Sequence, residues 1–148
     1  MIKKQIKQLS QWYGDGVDGT CPTPEQWESL VALPDNTPIV LINLFKLRES
    51  AVYNNNAQQE KIVTGKDAFD LYAAVSIPAM EKSGGKFLHL GKYNNMFIGS
   101  DEDWDIVAIG SYPNLHSLIA LHQDSQYHES FCHRSAACEK QKVFIASN

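Results

Sequence analysis

The sequence predicts an α+β fold of the split β-α-β type, a four-stranded antiparallel sheet with its helices on one side. Three observations carry this. Ile39 to Phe45 is an apolar, β-rich run covered on both faces; segments of helical periodicity opened by capping residues follow it; and the order, a leading helix and then β-α-β-β-α-α-β, matches the split pattern. The 148 residues contain no repeat and no linker, so they read as an N-terminal extension, 1–22, and a single domain, 23–148.

The elements follow in chain order. Ile2, Ile6, Leu9 and Tyr13 are spaced for a short amphipathic helix, and Gly14, Gly16 and Gly19 with Asp15 and Asp18 make a loop after it. Thr23-Pro24-Glu25-Gln26 is a capping box with proline at the first helical position; Trp27, Leu30 and Val31 form that helix's apolar face and Pro34 ends it. The first strand spans 39–45. Residues 49–63 are polar and read as a mobile loop. Thr64-Gly65 opens a helix with Ala68, Leu71, Tyr72, Val75 and Ala79 inward; Pro78 predicts a kink or break, and Gly84 or Gly85 the C-cap. Lys86 to Tyr93 and Trp104 to Tyr112 are strands flanking an acidic turn. Asn114 caps a helix with Leu115, Leu118, Ile119 and Leu121 inward, and Asp124 or Ser125 caps another that runs to about Lys140. Val143 to Ala146 is the last strand. Four strands with helices on one side leave the other sheet face bare, and a second copy of the chain is the economical cover.

Composition excludes several classes. The formal charge of −4 and pI near 5.7 leave no basic stripe for nucleic acid. Three cysteines at these spacings form no disulfide framework; Cys132 and Cys138 fall in one predicted helix, six apart, on different faces. The N-terminus lacks the apolar stretch of a signal peptide and no run approaches a membrane span, so a cytoplasmic protein is expected. No nucleophile elbow, HExxH, phosphate-binding loop or dinucleotide fingerprint is present.

Eight pieces in order, Thr23-Pro24-Glu25-Gln26, Leu33-Pro34-Asp35, Asn43-Leu44-Phe45-Lys46, Thr64-Gly65-Lys66-Asp67-Ala68, Gly84-Gly85, Trp104-Asp105, Tyr112-Pro113 and His133-Arg134, resemble domain-of-unknown-function family 1330 over residues 23–146. The resemblance implies a ferredoxin-like fold assembled as a dimeric α/β barrel, two sheets packed face to face. Members of that wider group include cofactor-free monooxygenases, decarboxylases and haem enzymes. The chain departs at Asn114, where serine is more usual, and at Phe45 and Leu47, where Leu and Phe are.

Candidate site residues come from polar or aromatic positions that the apolar pattern leaves unexplained. Asn43 sits mid-strand, where a buried amide must find partners; it either fixes structure or orients a ligand. Lys46 points to the opposite face, as a solvated strand end or an anion contact. Trp104 and Tyr112 flank the small Ala108 and Gly110 on one face, leaving a hollow that a helix or a ligand fills. His89 shares its register with Phe87 and Gly91 and is a further candidate, facing the barrel. His133-Arg134 offers a proton carrier beside a bidentate carboxylate clamp, against the plainer reading of a solvated helix flank. His128 and Cys132 share a helix face but lack the further ligands a metal needs, so no metal and no cofactor are expected. Two functions compete: a cofactor-independent enzyme or binder of a small organic molecule in a barrel pocket, and a non-catalytic homodimeric interaction module. An open cavity against a closed, dry interface separates them.

Overall fold

A computed structural model describes residues 2–54 and 64–147. The order is α1 (Ile2–Tyr13), α2 (Pro24–Val31), β1 (Ile39–Leu47), α3 (Gly65–Lys82), β2 (Lys86–Lys92), β3 (Ile106–Tyr112), α4 (Leu115–Gln123), α5 (Ser125–Ala137) and β4 (Cys138–Ser147). The strands form one sheet in the order β2-β3-β1-β4, every neighbouring pair antiparallel. β1 and β2 are therefore parallel, with β3 inserted between them. The loop read over 49–63 falls largely outside the described residues.

Local chemistry sets the element ends. The Thr23 hydroxyl accepts from the Gln26 amide while the Gln26 side chain accepts from the Thr23 amide, and Thr64 with Asp67 repeats the arrangement at α3. Asn114 and Asp124 cap α4 and α5 through their side-chain oxygens. After Ser83 the chain turns through Gly84 at φ +101°, a left-handed conformation that suits glycine.

Several boundaries depart from the sequence pattern. The break at Pro78 is absent: α3 is one helix, held by the buried Ser76 and Met80 on either side of the proline. Leu71, expected inward, is 41% exposed, and Phe69, Ser76 and Met80 take the buried stripe instead. α5 stops at Ala137, so Cys138 opens β4 and shares no helix with Cys132. β4 is much longer than 143–146. Its first half, Glu139 to Lys142, is polar because it lies on an edge strand, where alternation gives little signal.

Register divides the sheet into two faces. Ile39, Leu41, Asn43 and Phe45 of β1 pair with Tyr112, Gly110, Ala108 and Ile106 of β3, and these residues meet the helices. The Phe45 and Phe69 rings meet at 5.0 Å, and Met80 occupies the space that a side chain at Gly110 would need. Thus a helix residue fills the Gly110 end of the hollow expected there. The opposite face carries Val40, Ile42, Leu44, Val107, Ile109 and Phe144, none of them fully buried. The N-terminal segment adds to the helical side: Leu9 is fully buried, the Tyr13 hydroxyl donates to the His122 carbonyl at 2.7 Å, and Trp12 stacks on His128 at 4.4 Å.

Candidate functional site

A cavity of about 530 Å³ lies between the helices and the covered face of the sheet. It spans all four strands, touching Leu90, Ala108, Asn43 and Val143, and the loop around Cys21 forms part of its wall. Leu90, Val143 and Ile145 line it while each is more than 40% exposed, so it reaches the surface along the two edge strands. Its size is that of small-molecule sites, roughly 300–1,000 Å³.

Arg134 is the central polar group. Positions 127, 131 and 134 of α5 fall on one helix face, which turns Tyr127, Phe131 and Arg134 together toward the sheet. The buried guanidinium donates from Nε to Gln141 Oε1 at 2.9 Å, from Nη1 to the Tyr72 hydroxyl at 3.0 Å, and from Nη2 to Asn43 Oδ1 at a long 3.5 Å. It lies 4.7 Å from the Phe45 ring centre and 5.4 Å from that of Phe131. Every one of these partners is neutral. The ion pairs among the described residues join lysines to acids and do not include Arg134. Burial works against its charge, but Tyr72, Tyr127 and Cys138 outweigh that and hold its pKa above the ordinary guanidinium value. Cys138 is pushed up to about 11 and Tyr127 well above its ordinary value, chiefly by burial, so near neutral pH neither supplies a negative charge.

The cluster has more donors than acceptors. Three of the five guanidinium N–H groups are spent, leaving two. The Tyr72 and Tyr127 hydroxyls lie 2.7 Å apart and share one bond, so one of their two protons has no acceptor among the described residues. The Tyr112 hydroxyl also lines the cavity without a hydrogen-bond partner among the described residues, its pKa raised by burial. Asn43 is held from both ends, its Nδ2 donating to Ala108 O at 3.0 Å.

The structure gathers three of the seven residues singled out from sequence, Asn43, Tyr112 and Arg134, at this cavity. The other four lie elsewhere. Lys46 pairs with Asp103 at 3.0 Å and Asp105 at 3.6 Å and borders a second, open depression beside Arg48. Trp104 precedes β3 instead of opening it, so alternation does not carry it onto the Ala108 face; it donates to Glu102 at 2.7 Å, and Lys140 lies 4.6 Å over its ring. A bulge between Phe87 and His89 reverses the register, so Phe87 meets the helices while His89 faces the other way, exposed, opposite Ile109. His133 adjoins Arg134 in sequence but points off a different side of α5, where its Nδ1 lies 2.7 Å from the Tyr53 hydroxyl. Among the described residues, no three His, Cys, Asp or Glu side chains gather as a metal site, and no helix is long and apolar enough to cross a membrane.

Sequence reasoning missed Tyr72 and Tyr127 as hydroxyl donors, Gln141, and His122. The signal for His122 was present: it follows Leu115, Leu118 and Ile119 on the inward stripe of α4.

Residues 59–148 match the profile of the domain of unknown function DUF1330. The chain is a member of the DUF1330 family. The matched segment runs from before α3 through β4 and so contains Tyr72, Tyr127, Arg134 and Gln141. Two crystal structures resemble the chain over most of its length. One is of the methylated RPA0582 protein: identity is 32%, the TM-score is 0.76, and the match covers 87% of this chain and 93% of that one. The other is of the RPA0582 protein of Rhodopseudomonas palustris, a protein of unknown function, at 32% identity and a TM-score of 0.75, covering 87% of this chain and 95% of that one. No curated protein matches the chain.

Proposed function

We propose that this DUF1330 protein binds a small, largely apolar organic acid between sheet and helices, with the carboxylate on Arg134. The observation that carries the reading is a buried guanidinium with no counter-charge among the described residues, set in a cavity of ligand size. An isolated buried charge is costly, and an anion supplied from outside repays that cost through charge-assisted, bidentate bonds. The unspent tyrosine proton and the Tyr112 hydroxyl add donors suited to the same acceptor. Phe45, Phe69 and Phe131 suit an apolar or aromatic body. In an enzymatic version needing no cofactor, the Tyr72–Tyr127 pair is the group placed to give a proton to the bound acceptor.

The reading includes a homodimer of the ferredoxin-like subunit, packed sheet to sheet as a dimeric α/β barrel. Its support is the second face, whose Ile42, Leu44, Ile109 and Phe144 have no helix over them among the described residues.

The test is a thermal-shift and calorimetric comparison of arylalkanoic acids with their primary amides. The acids are expected to raise the melting temperature, by the equivalent of about 2.7 kcal/mol at a hundred times Kd. The amides and the Arg134→Met protein should show no such shift. Amides that bind as well as acids, or a full acid series without binding, overturn the reading.

A further inference from the structure

A second polar station on the cavity wall bears on what the far end of that acid looks like. His122 lines the cavity from α4. Its Nδ1 lies 3.0 Å from the Leu118 carbonyl oxygen, which can only accept, so Nδ1 carries the proton. The ring is neutral at physiological pH: burial chiefly, and Arg134 in addition, pull its pKa down to about 4. Nε2 is then a lone pair, and it has no hydrogen-bond partner among the described residues. The Tyr13 hydroxyl is spent on the His122 main-chain oxygen and leaves the imidazole free.

Trp27 meets this imidazole edge to face, with ring centres 5.6 Å apart, and it lines the same cavity. It is 2% exposed, and its Nε1–H, enclosed by the protein, has no acceptor among the described residues. The imidazole nitrogen is thus the acceptor that this end of the cavity offers. An alkyl group cannot satisfy that lone pair and an ether oxygen can only accept. A hydroxyl can donate to the imidazole.

The spacing between the stations is set by one phenol. The Tyr127 ring meets His122 at 5.3 Å, and its hydroxyl lies 2.7 Å from that of Tyr72, which Arg134 reaches at 3.0 Å. Donors in excess at one end and an acceptor at the other, linked through one phenol ring and its hydrogen bonds, define a complementary molecule. We infer that the ligand is a hydroxy acid with a ring-sized body, its carboxylate on Arg134 and its hydroxyl donating to His122 Nε2. This rests on the acid-binding reading above and adds the second group.

The experiment is calorimetry on the full chain with three matched series: phenyl-, 4-hydroxyphenyl- and 4-methoxyphenyl-alkanoates with side chains of two, three and four carbons. At the best-fitting length the hydroxy acid is expected to bind about tenfold tighter than the unsubstituted acid, the worth of one hydrogen bond to a buried acceptor. The methoxy acid, which cannot donate, should lose that gain. His122→Phe should erase the hydroxyl preference, read as the ratio of hydroxy-acid to unsubstituted-acid affinity in the variant. Equal binding of hydroxy and unsubstituted acids at every length overturns this inference and leaves the acid reading intact; failure of all the acids overturns the acid reading and this one with it. The ligand comparison needs no variant, so the test stands even where His122→Phe does not fold.

Discussion

The two faces of this one sheet receive the same strands and end up as opposite surfaces. On the helical face, Ile39, Phe45, Ala108 and Tyr112 are buried, yet a cavity of about 530 Å³ remains and a cation sits beside it. On the other face the residues are more uniformly apolar, Val40, Ile42, Leu44, Val107 and Ile109, and none is fully buried. The covered face thus keeps polar groups and empty volume that stability alone does not require, and the open face keeps apolar surface that solubility does not favour. The first pattern fits a ligand site, the second a protein contact.

The largest effect is expected from charging the open face. Ile42→Glu places a carboxylate in the middle of that face without touching the cavity. Light scattering of the parent should give about twice the 16.6 kDa chain mass, and the variant should fall to a single chain. A variant that keeps the parent's mass removes this face as the seam.

Next is Arg134→Met, which neutralises the helical face. Removing a cation that has no counter-charge among the described residues should leave urea stability within about 1 kcal/mol of the parent, or raise it, as apolar replacements of buried charges often do. Binding of arylalkanoic acids should fall about a hundredfold or more, from loss of a bidentate charge-assisted contact. Stability and binding moving down together would mark Arg134 as a structural prop.

The helical face also holds a half-buried neutral histidine, and that sets a pH signature. The folded pKa of His122 is about 4 against an ordinary value of 6.5, so the unfolded chain binds the proton more readily. Its contribution is complete above the unfolded pKa and is lost as pH falls from about 6.5 toward 4, up to roughly 3 kcal/mol in all. Urea midpoints at pH 7.5 and pH 5 should therefore differ more in the parent than in His122→Phe. Equal differences would mean that His122 is protonated in the folded protein.

Much of this contrast was readable in the residues. The caps at Thr23, Thr64, Asn114 and Asp124 form as their side chains predict, because a helix start is decided within four residues. What depends on neighbours distant in sequence was not readable. The bulge that turns His89 away from Phe87 comes from pairing with β3. The polar opening of β4 reads as helix until β1 is there to pair with it. His133 and Arg134 look like a pair in sequence, yet α5 sends one to Tyr53 and the other to Tyr72. The donor excess around Arg134 was invisible, because it arises from the absence of a carboxylate among residues drawn from α3, α5, β1 and β4.

The smallest effect is expected from Asn43→Ala, at the residue that joins the sheet to the cation. Its amide nitrogen donates to Ala108 O at 3.0 Å, a good bond, while its oxygen receives Arg134 Nη2 at 3.5 Å, a poor one. Asn43→Ala removes the good bond and leaves Ala108 O its other lone pair, so the loss should be about 1 kcal/mol and not the full cost of an orphaned group. The same change releases Nη2 and adds one N–H to those already unspent. Acid affinity should then stay within about threefold of the parent, because the weak bond lost at 3.5 Å contributes little. Asn43→Asp reverses the logic by placing a carboxylate against the guanidinium, supplying from within the counter-charge that the ligand otherwise brings. It should abolish acid binding, while the carboxylate oxygen that replaces Nδ2 against Ala108 O offsets part of the stability that the new ion pair supplies. An Asn43→Asp protein that still binds arylalkanoic acids as the parent does would show that Arg134 is not where their carboxylate rests.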